Sequence, residues 1–350
     1  MNALNIPAAS GRNARLRPLP WRRMAWVTWR QHRLALAGVV ALFGAAAAYL
    51  LVTGLPMHDA YAAVAGCRPA GSDLCNRVVN DFLRTYAPGV GVTFGLLQAI
   101  PALIGAFAGA PLLAREFETG TFRYAWTQGF GRARWTVAKL TPLAVAVTIA
   151  AAAFSMLVSW YVQPIFDAGD NNGPLYPTLF DLSGVALAAW TLAAFAIGVL
   201  AGILVRRVVP AMFATIATWA TLAFATGAFL RAHYQAPVVT SNPNIPTGAW
   251  IINQGWFKGR NPASLDTINQ TLAPVDVRAV TPNLFQPGPA TPANVGDPVQ
   301  YLIQHGLTQL TTYQPSSLFW TFQWIEGGWL LALSLILIAA TVWLVRRRAA

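Results

Sequence analysis

Charge is what this sequence has least of. Only 10% of its 350 residues are charged, against about a quarter in an ordinary soluble domain. Lys139 and Lys258 are its only lysines. Six apolar stretches hold no charged residue at all: 34–55, 89–113, 141–162, 182–205, 208–230 and 327–345. Each absence excludes something. A chain that is 55% hydrophobic, with mean hydropathy +0.47, is not a soluble domain. Ion- and proton-driven carriers usually keep an ionisable residue at membrane depth; the stretches keep none, so any transport would draw its energy from outside the chain. No Gly-x-x-x-x-Gly-Lys phosphate loop is present, nor a His-Glu-x-x-His or Gly-x-Ser-x-Gly pattern. The four histidines, His32, His58, His233 and His305, all fall outside the stretches, which removes support for a buried Ser/His site.

What is present is length. Each stretch approaches or exceeds the roughly 20 residues that cross a hydrocarbon core as a helix, and only helices or closed barrels satisfy their backbone in lipid. The expected fold is an all-α integral membrane protein of six transmembrane helices. Counted on alternate sides, 17 Lys and Arg fall on the side of the N-terminus and 7 on the other, while ten of the twelve acids take the second side. The positive-inside rule then places both termini in the cytoplasm and the chain in the plasma membrane as a multi-pass protein. The net charge of +12 is a matter of topology, not of nucleic acid. The first apolar run and its basic lead-in are too long for a cleaved leader. Arginine outnumbers lysine 22 to 2, a composition of GC-rich bacterial genomes.

Four regions follow. Residues 1–33 form a cytoplasmic tail with a Trp- and Arg-bearing segment from Trp21, read as an interfacial helix or a lead-in to the first span. Residues 34–230 hold spans one to five, with a cytoplasmic loop at 114–140. Residues 231–326, rich in Pro, Asn and Thr, are expected to be loop-rich and external. One helix is expected there, capped by Asp297 and Pro298, with Val299, Leu302, Ile303 and Leu310 on its apolar face. Residues 327–350 are the last span and a basic tail. About 30 residues link spans one and two outside and hold Cys67 and Cys75, the only cysteines. On an oxidising face they suit a disulfide. No metal pattern is readable around them. Gly105 and Gly109 in the second span, and Ala194, Gly198 and Gly202 in the fourth, are small residues four apart that allow close helix approach. Pro101 is expected to kink the second span. Ser155, Ser159, Thr191 and Thr221 read as helix-packing hydroxyls. Glu326, at the outer mouth of the last span, reads as an interface carboxylate reaching water.

The loop at 114–140 is the unusual polar segment. Glu116 and Glu118 end the second span, Gly120 breaks the chain, and Thr119 or Thr121 caps a short helix. That helix shows Phe122, Tyr124 and Trp126, and Arg132, Arg134 and Lys139 follow. Aromatics interleaved with arginine suit a docking surface.

The pattern Glu116-x-Glu118-x-Gly120-Thr121, with Arg132, Arg134-Trp135 and Lys139 before a new span, resembles the first intracellular loop of type-2 ATP-binding-cassette export permeases. Trp29-Arg30-Gln31-His32-Arg33 and Phe319-Trp320-x-Phe322-Gln323-x-Ile325-Glu326 resemble one actinobacterial branch of them. The resemblance implies a non-catalytic transport subunit that holds no cofactor itself. ATP and Mg would bind a separate ATPase partner, a second permease subunit would complete the pore, and 114–140 would hold the coupling helix. The long 231–321 region departs from the short hairpin usual there. An amphipathic or lipid-like substrate suits the apolar spans. A membrane-anchored sensor using the external region, or an intramembrane enzyme, are the alternatives.

Overall fold

The structure, a computed structural model, describes residues 21–69, 71–120, 132–169, 173–242, 245–259, 261–272 and 298–348. Six helices among them are long and apolar enough to span a membrane: Leu36–Gly66, Asp73–Thr119, Ala133–Asp167, Ala186–Val205, Val208–His233 and Ser316–Arg347. The chain is a multi-pass membrane protein. Four spans, the first, second, third and sixth, run well past their apolar stretches. The first belongs to one helix, Trp21–Gly66, which takes in the Trp- and Arg-bearing lead-in, and the second opens at Asp73. The expected 30-residue linker is therefore mostly helix. Rings knit the two helices, with Tyr61 against Phe82 at 5.8 Å between centroids. His58 lies inside the first helix, stacked on Trp160 at 4.2 Å, and is not in a loop. Cys67 and Cys75 are bonded to each other across the turn, with their Cα atoms 5.7 Å apart.

The fourth span is the central helix. In its most apolar window 72% of residues are buried, against 11% in the fifth. Lipid tails give two apolar helices little reason to associate, so close packing must supply it. Glycine supplies that packing here. A Cβ on Gly109 would lie 2.6 Å from the carbonyl oxygen of Phe195, and one on Gly202 would lie 2.5 Å from that of Ala110. Gly105 and Gly198 press on each other's helix more tightly still. The second span adapts to this contact. Its helix stops at Leu97 and restarts at Ile100 with Pro101 in the first turn, then widens into a π turn over Gly105–Gly109. Gly198→Leu should force the two backbones apart and destabilise the purified protein by more than the roughly 1–3 kcal/mol of ordinary overpacking, read as a lowered thermal midpoint. Gly38→Leu, with nothing within 4 Å, is the control. Equal midpoints for the two variants would remove this contact from the account.

The four span hydroxyls are absorbed by their own helices. Ser159, Thr191 and Thr221 donate to carbonyls four residues back, and Ser155 to one three back.

One end of the bundle carries a sheet where loops were expected. Strands β1 (Val238–Thr240), β2 (Trp250–Lys258), β3 (Asn261–Pro262) and β4 (Leu307–Gln314) pair antiparallel in the order β1-β4-β2-β3. β-Branched and aromatic residues fill the two long strands, and Gly306 at φ +81° turns the chain into β4. The helix before it runs only Pro298–Gln304, so Leu310 lies on a strand and not on a helical face. Its cap Asp297 lies outside the described residues. Trp250 carries the sheet onto the span ends, joining a buried cluster with Leu175, Phe180, Trp190, Phe322 and Leu330.

Candidate functional site

The spans bury charge at both ends. At the end opposite the sheet, Ala110–Thr119 closes the second span, and Gly120 ends it with φ +72°. The last turns of this helix place two carboxylates differently. Glu116 turns inward and pairs with Lys139 of the third span; their side chains are 17% and 4% exposed. Trp135, one turn earlier on the third span, has its ring 5.0 Å from the same ammonium. Glu118 is exposed, and its Oε2 accepts the Val208 backbone N–H at 3.2 Å. That N–H opens the fifth-span helix, where an anion is favoured. Thr119 is the last residue of its helix, with its hydroxyl bonded to the Arg115 carbonyl; the short helix expected after it lies outside the described residues. Arg206 takes a left-handed φ of +58° between spans four and five, with its guanidinium 6.0 Å from the Phe117 ring.

Glu116 is turned toward the interior and paired. It is a strut to the third span, as Glu118 is to the fifth. Arg134 is exposed, and Arg132 begins the third-span helix. Thr121, Phe122, Tyr124 and Trp126 lie outside the described residues.

At the sheet end a larger cluster forms. The fifth span closes in a π turn, Thr226–Leu230, and delivers Arg231 to the interior with 1% exposure. Its Nε donates to Glu326 Oε2 at 3.0 Å and its Nη2 to Glu326 Oε1 at 2.8 Å, a side-on fork. Trp190 Nε1 donates to Oε1 at 2.8 Å and Tyr234 Oη to Oε2 at 3.1 Å. Glu326 is therefore fully buried with four donors, not an interface group reaching water. The same Nη2 also meets Asp181, whose side chain is 26% exposed. Phe180 lies 4.4 Å from the guanidinium. Gln323 accepts the Ala186 N–H at 2.8 Å and donates to the Phe180 carbonyl at 3.1 Å, tying span six to the start of span four.

Burial is the main cause that raises the Asp181 carboxyl above its usual range; Arg231 pulls it down and Glu326 adds to the rise. Burial first, then Glu326, lift the Tyr234 phenol as well, so it remains a donor.

The chemistry of this cluster is cohesion. With both oxygens of Glu326 engaged, it offers no free general base. Among the described residues no group of three or more His, Cys, Asp or Glu could hold a metal ion. Sequence reasoning misses Arg231, Asp181, Tyr234, Trp190 and Gln323 as members of a site. A signal exists: Asp181, Arg231 and Glu326 each directly adjoin an apolar stretch, and all three at the same end of the bundle.

Six apolar spans, a glycine-packed central helix and a polar elbow strutted to two neighbours define a polytopic membrane protein. The model of the ABC-2 membrane transporter related family matches residues 38–231, more than half of the chain, and the chain belongs to that family. It is thus a transport subunit of the ABC exporter type and not an enzyme. Comparison with curated proteins and with solved structures gives no match.

Proposed function

We propose that the chain is the membrane half of an ATP-driven exporter, energised by a separate ATPase that docks at the elbow, residues 114–140. Family membership carries the reading. The elbow's two struts support the docking place. A push on that segment would reach the third span through Glu116–Lys139 and the fifth through Glu118 and the Val208 N–H. The 17-to-7 split of cations supports a cytoplasmic elbow, cytoplasmic termini and an external sheet. A second permease subunit completes the pore. The ATP and Mg sites belong to the partner. The cargo is amphipathic or lipid-like, in keeping with walls that offer apolar surface.

Purification of the tagged full-length chain from native membranes tests this. An ATPase subunit should co-purify and hydrolyse ATP, and alanine at Phe122, Tyr124 and Trp126 together should release it while the permease stays monodisperse. Recovery with a kinase or regulator in place of an ATPase would favour the sensor reading.

A further inference from the structure

The cluster beneath the sheet holds three charges, and three do not balance. Arg231 and Glu326 already form a complete pair, with two parallel hydrogen bonds at 3.0 and 2.8 Å, and Trp190 and Tyr234 fill the remaining acceptor positions. The pair is neutral. Asp181 is then a second carboxyl on a cation whose charge is spent, sharing Nη2 with Glu326. Two carboxylates that share one site do not both ionise readily. Among the described residues, the elements packed around it bring no further cation into the cluster. The fifth-span end contributes Arg231 and Tyr234, and the sixth span contributes Glu326. The fourth contributes Trp190, and the second contributes Gln98, whose amide bonds the Pro177 carbonyl. His233 is exposed, with its ring bonded to its own helix at Phe229. Asp181 is the one carboxyl of the cluster that water reaches, at 26% exposure against none for Glu326.

We propose that Asp181 is a proton-binding site. It holds an exchangeable proton while the segment 173–185 is docked on the ends of spans four to six. It releases that proton to water as the carboxylate, leaving one net negative charge beside the Arg231–Glu326 pair. The upward displacement of its titration, caused by burial first, agrees with this. The segment itself is built to seat closely. Gly173 packs against the backbone of Gly248 below the sheet, and Gly184, at φ +58°, packs against the Gln323 amide. Ionised Asp181 gains by moving outward into solvent, so the segment loosens as pH rises. The sign follows from linkage: an acid with a raised folded pKa binds more protons folded than unfolded. Its contribution is full below the ordinary Asp range and is lost as pH rises through the folded value.

The proposal does not depend on what is transported. Infrared titration of the purified full-length protein in lipid, across neutral pH, reads it directly. The wild type should show a protonated-carboxyl band that fades through the neutral range, and its thermal midpoint should fall as pH rises from the ordinary Asp range to that point and level off above it. Asp181→Asn, which keeps the oxygen that accepts from Arg231, should lose the band and flatten the pH dependence of the midpoint. Asp59→Asn, at an exposed acid of the first helix, should change neither. Absence of any carboxyl band titrating in the neutral range, or a band that survives Asp181→Asn, overturns the proposal.

Discussion

Arg231→Ala should destabilise the protein by about 3–5 kcal/mol, because it strands a fully buried carboxylate without its cation. The partners left behind set the size of the effect. Glu326 would keep the donors from Trp190 and Tyr234 but lose both bonds of the fork. Asp181 would lose its cation and turn to water, and the Phe180 ring would lose the guanidinium beside it. The damage should therefore be wider than one ion pair, since the cluster ties the ends of spans four, five and six together. Thermal melts in a single detergent, with size-exclusion recovery as a second reading, measure it. The double variant Arg231→Met with Glu326→Gln should be more stable than Arg231→Ala. The amide introduced by Glu326→Gln would keep an oxygen that accepts from Trp190 and an NH2 that donates to the Tyr234 hydroxyl oxygen, and the fork would leave no unpaired charge in the interior. An exposed pair contributes about 0–1 kcal/mol. A single variant within that range would mean that the fork is not buried in the membrane-embedded protein.

Why the buried charges escape a reading of the sequence has a physical answer. Hydropathy locates the spans because it sums over some twenty residues, and all six apolar stretches lie within or largely within the six helices. Helix ends are another matter. Asp181, Arg231 and Glu326 each sit at the edge of an apolar stretch, where a charge ordinarily reaches toward water. Nothing in the linear order says that three such edges converge. Convergence depends on the π turn over Thr226–Leu230 and on the placement of the sixth span beside the fourth, both products of packing. Glu116 and Lys139 stand out in the sequence, but as members of one loop. That they face each other follows from the second and third spans being neighbours.

The small-residue spacings fare differently. Gly105, Gly109, Gly198 and Gly202 are legible as a pattern common in any Ala- and Gly-rich membrane chain, and what the structure adds is the identity of the partner helix. The sheet is masked by composition. β2 and β4 mix β-branched and aromatic residues with Asn and Gln, and the Pro-rich stretch 273–297 lies between them in sequence, so neither reads as half of a pair. Their long-range pairing, Trp250 with Gln314 through to Lys258 with Leu307, is the kind of contact that local pattern does not encode.

Glu116→Lys should be nearly as damaging as the loss of Arg231, at about 3–5 kcal/mol, because it sets two ammonium groups against each other where Lys139 is 4% exposed. This bears on the coupling role of the elbow. A charge reversal at a docking surface would spare the fold and reduce only stimulation of the ATPase. At Glu116 it should reduce both, with loss of monodisperse protein before any assay of transport. The exchange Glu116→Lys with Lys139→Glu should recover much of the fold, since the pair is re-formed with its ends reversed. Glu118→Lys separates the two roles. Its carboxylate is exposed and caps the Val208 N–H, so its loss should cost about 0.5–2 kcal/mol, in the range of a helix cap, and leave an intact protein in which docking can be measured. A fall in ATPase stimulation by Glu118→Lys in folded protein places the elbow at the partner interface. If instead Glu116→Lys proves as stable as the wild type, the strut to the third span is absent in the membrane, and a push on the elbow has no charged path to that helix.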